Sequence, residues 1–393
     1  MTRLSNRILT LDGDDRNGDG WAVYYRARAL QEAGRKITML CIGEHDFRTP
    51  GFIIDRMDAS ARGGNTGYAL SLGQRGLREA VAVAEAKATG APTTADNVII
   101  TTGGQAALFA AMCAALDPGD LAVIVDPFYA TYPATVRGAG GRLGIVPARP
   151  ERGFQPDPDE VYAATEGARA LLINTPHNPT GAVYSRKTLE GIAEVAKARD
   201  LWLISDEVYR TQVHEGAHLT PRLLPGMAER TLVVGSLSKS HVMTGFRIGW
   251  LIAPEHAIDP LRRMANATTY GVPGFIQDAA ETALRDGAET EAETAAIYRR
   301  RRDAALDALA NSGLKVSPPE GGMYLMIDVR PTGMDGESFA LALLEAEGIA
   351  VMPGESFGRA AAGHLRVALT VEDGEMVEAL RRLAAFARAK AAS

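Results

Sequence analysis

The sequence predicts an α/β protein with a mostly parallel seven-stranded sheet between layers of helices, followed by a smaller α+β part. Three observations carry this. Between residues 97 and 253 short apolar runs alternate with helical patterns, as in a parallel sheet wound with crossover helices. Asn178, Asp206 and Lys239 fall just past the ends of such runs, and ligands collect beyond the C-terminal ends of strands in such sheets. Past about residue 275 the texture changes to Glu/Arg/Ala-rich helix and isolated short strands. With 393 residues, the chain is long enough for two domains.

The apolar runs, in order, are 98–101, 121–125, 143–146, 171–174, 202–205, 232–235 and 248–253. Their length and bounding turn residues suit buried strands. Helical patterns fill 105–116 and 185–199, and a loop-rich stretch follows Tyr209. In the second part, 290–310 reads as one long exposed helix, 323–328 and 364–368 as strands, and 372–390 as an amphipathic helix.

Composition excludes several classes of protein. The net charge of −6 and pI near 5.7 argue against a nucleic-acid surface. Cys41 and Cys113 form neither a disulfide framework nor a thiolate metal site, and their apolar neighbours suggest buried free thiols. Met1 to Arg7 is not backed by the apolar segment of a secretory signal. No stretch approaches the roughly 20 apolar residues of a membrane span. A cytoplasmic protein with no membrane or nucleic-acid partner is expected.

The most informative stretch is Ser236-Leu237-Ser238-Lys239, with Arg247 eight residues beyond the lysine. Lys239 stands at the mouth of a predicted strand, with hydroxyls one and three residues before it. Such a cationic, hydroxyl-rich cup suits a phosphorylated ligand that an amine also holds covalently. Pyridoxal 5′-phosphate is such a ligand, because its aldehyde condenses with lysine to a Schiff base. Three further motifs follow predicted strands or occupy them: Asn178-Pro179-Thr180-Gly181, Ser205-Asp206-Glu207-Val208-Tyr209 and His364-Leu365-Arg366-Val367-Ala368.

These four motifs, in this order, resemble those of the class I/II aminotransferases, the fold-type I pyridoxal-phosphate enzymes typified by aspartate aminotransferase. The resemblance runs from about Leu40 to Arg382. It implies that the N-terminal segment crosses to the small part, giving residues 1–43 as an arm and part of the small domain. Residues 44–279 would then be the large cofactor-binding domain, and 280–393 the small C-terminal domain. The implied activity is ping-pong transfer of the amino group of an L-amino acid to a 2-oxo acid.

The resemblance also implies roles. Lys239 is the Schiff-base lysine and the carrier of the proton. Asp206 faces the pyridine nitrogen and stabilises its protonated form. Tyr209, expected on the same helical turn as Asp206, and Asn178 hydrogen-bond the phenolic oxygen. Tyr129 stacks on the ring, and the phosphate lies among Gly103, Gly104, Gln105, Ser236, Ser238 and Arg247. Glycines at a strand–helix turn let backbone N–H groups approach an anion. Tyr68 reaches the cofactor phosphate of a neighbouring subunit, which implies a homodimer with shared active sites. Arg366 clamps the substrate α-carboxylate through its planar fork, helped by Gly43 and Asn178. His45 departs from the family, which usually has proline there, and bears on the conformation of the loop at the mouth.

Other readings compete. A carbon–sulfur β-lyase on the same scaffold would share the Lys, Asp, Asn and Arg set. His214-Glu215-Gly216-Ala217-His218 spells the HExxH pattern of zinc hydrolases, which needs both histidines on one helical face. Gly216 and Pro221 oppose a helix there. Asp15 to Gly20 begins like a calcium loop, but Arg26 stands where the final glutamate is required. Gly138 to Gly144 misses the dinucleotide fingerprint, with Leu143 in the third glycine position, and suits a helix-to-strand turn. A transcriptional regulator of this fold would need a DNA-binding module ahead of it, for which the first few tens of residues leave no room.

Overall fold

The structure, a computed structural model, describes residues 2–11 and 21–392. The calcium-loop-like stretch 15–20 lies outside the described residues. Twelve strands are present among the described residues: β1 (Thr38–Leu40), β2 (Val98–Thr101), β3 (Leu121–Asp126), β4 (Arg142–Pro147), β5 (Ala168–Asn174), β6 (Trp202–Asp206), β7 (Thr231–Ser236), β8 (Gly249–Ile252), β9 (Lys315–Ser317), β10 (Tyr324–Asp328), β11 (Ile349–Pro353) and β12 (His364–Ala368).

The first sheet has seven strands in the order β2-β8-β7-β6-β5-β3-β4. Pairings from β7 through β6, β5 and β3 to β4 are parallel, while β8 runs antiparallel to both β7 and β2. The central strands are buried along nearly their whole length, which is why they read as continuous apolar runs rather than alternating ones. Alternate residues serve opposite faces. Leu172 and Ile204 pack with Leu108 and Met112 of the helix Gly104–Ala115. Leu171 and Leu203 pack with Leu189 and Ile192 of the helix Arg186–Ala198.

The second sheet has five strands in the order β1-β11-β12-β10-β9. β1 pairs parallel with β11, register Thr38↔Ile349, so a strand from the N-terminal segment extends a C-terminal sheet. Its core includes Leu325, Phe339, Val351, Leu365 and Leu380. The predicted exposed helix spans Ala288–Leu309 and is exposed on one side only. Its Thr294, Tyr298, Arg301, Ala305 and Leu309 are buried, a stripe at helical spacing that its charge-rich composition conceals. Cys113 likewise departs from expectation: Cys41 is buried, but Cys113 is only half-buried.

Among the described residues no helix is long and apolar enough to cross a membrane.

Candidate active site

Register lines up the polar strand ends. Asn174 pairs with Asp206, Ser236 with Gly249, and Thr101 with Gly249 from the other side. All therefore sit along one edge of the sheet, where parallel strands end together and helices begin. A cavity of about 350 Å³ lies over this edge. Lys239, Asp206, Tyr209, Asn178, Tyr129 and Arg366 line it, as do Gly43, Gly104, Gln105, Ser236, Ser238 and Arg247. Of the residues assigned to cofactor or substrate from the sequence, Gly103 and Tyr68 are outside the lining, as is His45.

Lys239 follows β7 on the single helical turn Leu237–Ser240, in which the Ser238 N–H donates to the capping Ser236 hydroxyl at 3.0 Å. Its Nζ donates to the Gly43 carbonyl at 2.5 Å, and its own carbonyl accepts from Gln212 at 2.8 Å. Burial pushes the ammonium below the ordinary lysine range, and Arg366 and Arg247 push the same way.

Asp206 ends β6. Its Oδ2 accepts from the Tyr132 hydroxyl at 2.7 Å, and its Oδ1 accepts weakly from the Val208 N–H at 3.3 Å. Burial raises the carboxyl to about 6, against the Tyr132 hydrogen bond, which lowers it. The residues after Asp206 form a turn, not the expected helix. The turn still delivers Tyr209 into the cavity, where its hydroxyl lies 3.2 Å from that of Tyr324.

Arg366, on β12, reaches the cavity from the second sheet. Its Nη1 donates to Asn178 Oδ1 at 3.1 Å and its Nη2 to the Cys41 carbonyl at 2.5 Å. The guanidinium lies between the rings of Tyr324 and Phe357, at 4.4 and 4.5 Å from their centres. Its Nε is buried without a partner. A buried unpaired donor on a fixed guanidinium is costly, and it suits an anionic ligand in the cavity.

At the other end Gly103 takes φ +85°, and the helix Gly104–Ala115 starts immediately after it. A Cβ at Gly103 would strike the Arg247 guanidinium, and one at Gly249 would come 2.7 Å from the Gly103 backbone. Glycine at both positions lets the loop, the start of β8 and Arg247 crowd together. Ser236 Oγ lies 2.9 Å from Ser238 Oγ. The hydroxyls of Ser236 and Ser238, the Arg247 guanidinium and the start of the helix Gly104–Ala115 all border the cavity, a donor set suited to phosphate.

Residues 35–383 match the family model described as aminotransferase class I and II. The chain belongs to this family. An arginine–pyruvate transaminase of Pseudomonas aeruginosa is 44% identical over 93% of this chain and 95% of its own. An aspartate/prephenate aminotransferase of Thermus thermophilus is 38% identical over 92% and 94%. A double mutant of Thermus thermophilus aspartate aminotransferase superimposes with a TM-score of 0.92 at 36% identity, covering 98% of this chain and 100% of that one.

This protein is thus an aminotransferase of the aspartate-aminotransferase fold, acting on amino acids and 2-oxo acids. The family uses pyridoxal phosphate, and the cavity fits it: a phosphate-suited end, a lysine amine, a carboxylate at the floor and an orphaned guanidinium N–H at the far side. Sequence reasoning missed Tyr132, which holds Asp206, and Tyr324, which contacts both Tyr209 and Arg366. Tyr132 carried a faint signal, three residues after Tyr129. Tyr324 carried none, since it reads as an ordinary strand aromatic.

The HExxH letters do not form a metal site. The segment is not helical, and Gly216 takes φ +75°. The ring of His214 meets the Gly322 carbonyl at 2.8 Å, while that of His218 meets Glu207 at 2.7 Å. The stretch 138–144 joins the helix Tyr132–Gly138 to β4 as a turn.

Proposed function

We propose that this aminotransferase runs both half-reactions of a ping-pong transfer in this one cavity, with Lys239 holding the cofactor and moving the proton. The observation that carries the reading is the depressed Lys239 amine at the end of β7, enclosed with Asp206, Asn178 and Arg366. A lysine below its ordinary range is a better nucleophile and base near neutral pH. When bound, pyridoxal phosphate supplies the carbonyl that takes up the amino group and the ring that accepts the electron pair released at Cα.

Asp206, oriented by Tyr132, would hold the ring nitrogen. Asn178 and Tyr209 would donate to the phenolic oxygen, and Tyr129 would cover the ring face. Gly103, Gly104, Gln105, Ser236, Ser238 and Arg247 would bind the phosphate. Arg366 would take the substrate α-carboxylate, with Gly43 and Asn178 beside it.

Tyr68 supports a two-fold dimer. It is 93% exposed, and its ring stands edge-on to that of Tyr270, with centres 5.1 Å apart. Gln105 and Arg247, at the phosphate end, are also exposed. A second copy that covers this end with its Tyr68 would close the site and cover an exposed aromatic side chain. We take 1–43 with 280–393 as the small domain, 44–279 as the large one, and the cytoplasm as the location.

The test is amino-group exchange. Purified protein is given a panel of amino donors, including the arginine and aspartate named for the relatives, with 2-oxoglutarate, pyruvate, oxaloacetate or prephenate as acceptor. Stoichiometric exchange is expected. Release of ammonia and pyruvate from a β-substituted donor, without exchange, would favour a β-lyase and overturn the reading.

A further inference from the structure

Residues 41–46 form a strap across the cavity mouth. Three successive carbonyls are each engaged: Cys41 by Arg366 at 2.5 Å, Ile42 by the Thr370 hydroxyl at 2.8 Å, and Gly43 by the Lys239 amine at 2.5 Å. Further along, Asp46 accepts two bonds from Arg301, at 2.8 and 2.7 Å. The strap thus holds both the substrate-side guanidinium and the resting lysine.

Between these anchors stands His45, where the family usually has proline. Its Nε2 lies 3.2 Å from the Ser238 carbonyl, in the residue before Lys239, and its Nδ1 lies 2.7 Å from the Tyr298 hydroxyl. A carbonyl can only accept, so Nε2 carries the proton and Nδ1 accepts from Tyr298. The ring is wedged between Phe47 and Tyr298, with centres 5.0 and 5.5 Å away. Burial and the nearby Lys239 ammonium push its pKa down to about 4, with Asp46 opposing and Arg301 reinforcing, so the neutral tautomer holds through the working range. Proline could make neither bond.

We infer that His45 is a positioning residue that pins the mouth strap to the backbone turn carrying Lys239. It also ties both to the helix Ala288–Leu309 through Tyr298. The lysine amine matters most when it is free to move a proton at substrate Cα. At that stage its reach is set by the turn at Ser238 and by the strap carbonyl at Gly43, and His45 is the side chain that joins the two. The consequence is specific: loosening His45 slows proton transfer more than substrate binding. The inference rests on Lys239 as the proton carrier.

The test compares His45→Phe, which keeps the ring and loses both bonds, with His45→Gln, whose amide can donate to Ser238 and accept from Tyr298. For His45→Phe holoenzyme, kcat should fall roughly 5- to 30-fold, the size of one to two neutral hydrogen bonds. The KM for donor should stay within about twofold, and the isotope effect with Cα-deuterated donor should rise. Backbone amide exchange in peptide 236–241, followed by mass spectrometry, should quicken. His45→Gln should restore most of each. An unchanged isotope effect and unchanged exchange in His45→Phe would overturn the inference, as would glutamine failing as badly as phenylalanine at equal thermal stability. Borohydride labelling of the variants separates the two ideas. Label on Lys239 with an unchanged isotope effect sinks only the His45 role, whereas label on another lysine sinks the Lys239 assignment beneath it.

Discussion

Replacing Arg366 by lysine keeps the positive charge and removes the planar fork. In the structure Arg366 uses two of its five N–H groups, on Asn178 Oδ1 and the Cys41 carbonyl. The remaining donors, including the orphaned Nε, are available to a carboxylate. A hydrogen bond to a charged group contributes about 1.5–3 kcal/mol, and lysine can satisfy at most part of this array. Loss of two such bonds, offset by the retained charge, gives about 3 kcal/mol, or roughly 100- to 150-fold in kcat/KM at ~1.4 kcal/mol per tenfold. Most of it should appear in KM, because the clamp acts in ground and transition states alike. The assay is steady-state exchange with the best amino donor, run beside an amine of the same side chain that lacks the α-carboxylate. That amine should react with parent and variant within about threefold of each other, since it never used the clamp. A variant within about fivefold of parent on the amino acid, or an equal loss on the carboxylate-free amine, would refute the assignment. Labelling at Lys239 confirms that the variant still holds cofactor.

The other predictions concern the cofactor and the assembly. Borohydride reduction should fix the cofactor to Lys239, as read by peptide mass spectrometry, and Lys239→Ala should lose nearly all turnover; attachment at another lysine would end the proposal. Asp206 titrates near 6 in the cofactor-free protein, and pairing with a pyridinium would hold it ionised, so cofactor binding expels its proton below that pH. Affinity should therefore weaken as pH falls below about 6, by up to tenfold per unit from this group, and Asp206→Asn should lack that part of the slope. Cofactor phosphate titrates in both proteins, so their difference isolates Asp206; identical slopes would refute the pairing. Lys239→Ala and an inactive Tyr68 variant, mixed under conditions of subunit exchange, should regain partial activity, because one site of the mixed dimer carries both lesions and the other neither. A fully active monomer by sedimentation at assay concentration would refute site sharing.

Much of the site was readable one strand at a time. Asn178, Asp206 and Lys239 follow or end apolar runs whose continuous hydrophobicity reflects burial on both faces of a parallel sheet. The sequence could therefore place each beyond a C-terminal strand end, and local spacing tied Ser236 and Ser238 to Lys239. The turn after Asp206 was misread as helix because three residues carry too little periodicity to separate the two. The half-buried helix Ala288–Leu309 was misread as exposed because its inward stripe includes the polar Thr294 and Arg301, and Arg301 finds its partners Asp46 and Asp373 only in the folded chain.

What tertiary structure alone decided is everything that depends on distant segments meeting. Register between strands set which polar ends stand side by side. The second sheet brought Arg366 onto Asn178, 188 residues away in sequence. Tyr132 found Asp206 across 74 residues, Tyr324 found Tyr209 across 115, and His45 found Ser238 across 193 and Tyr298 across 253. Hydrophobic periodicity is a local signal, since it reports which face of an element is buried. Which side chain meets another across the fold depends on how whole elements pack. The lysine and its strand-end neighbours were thus legible in the chain, while the residues that hold them in place became visible only once the sheets had closed over them.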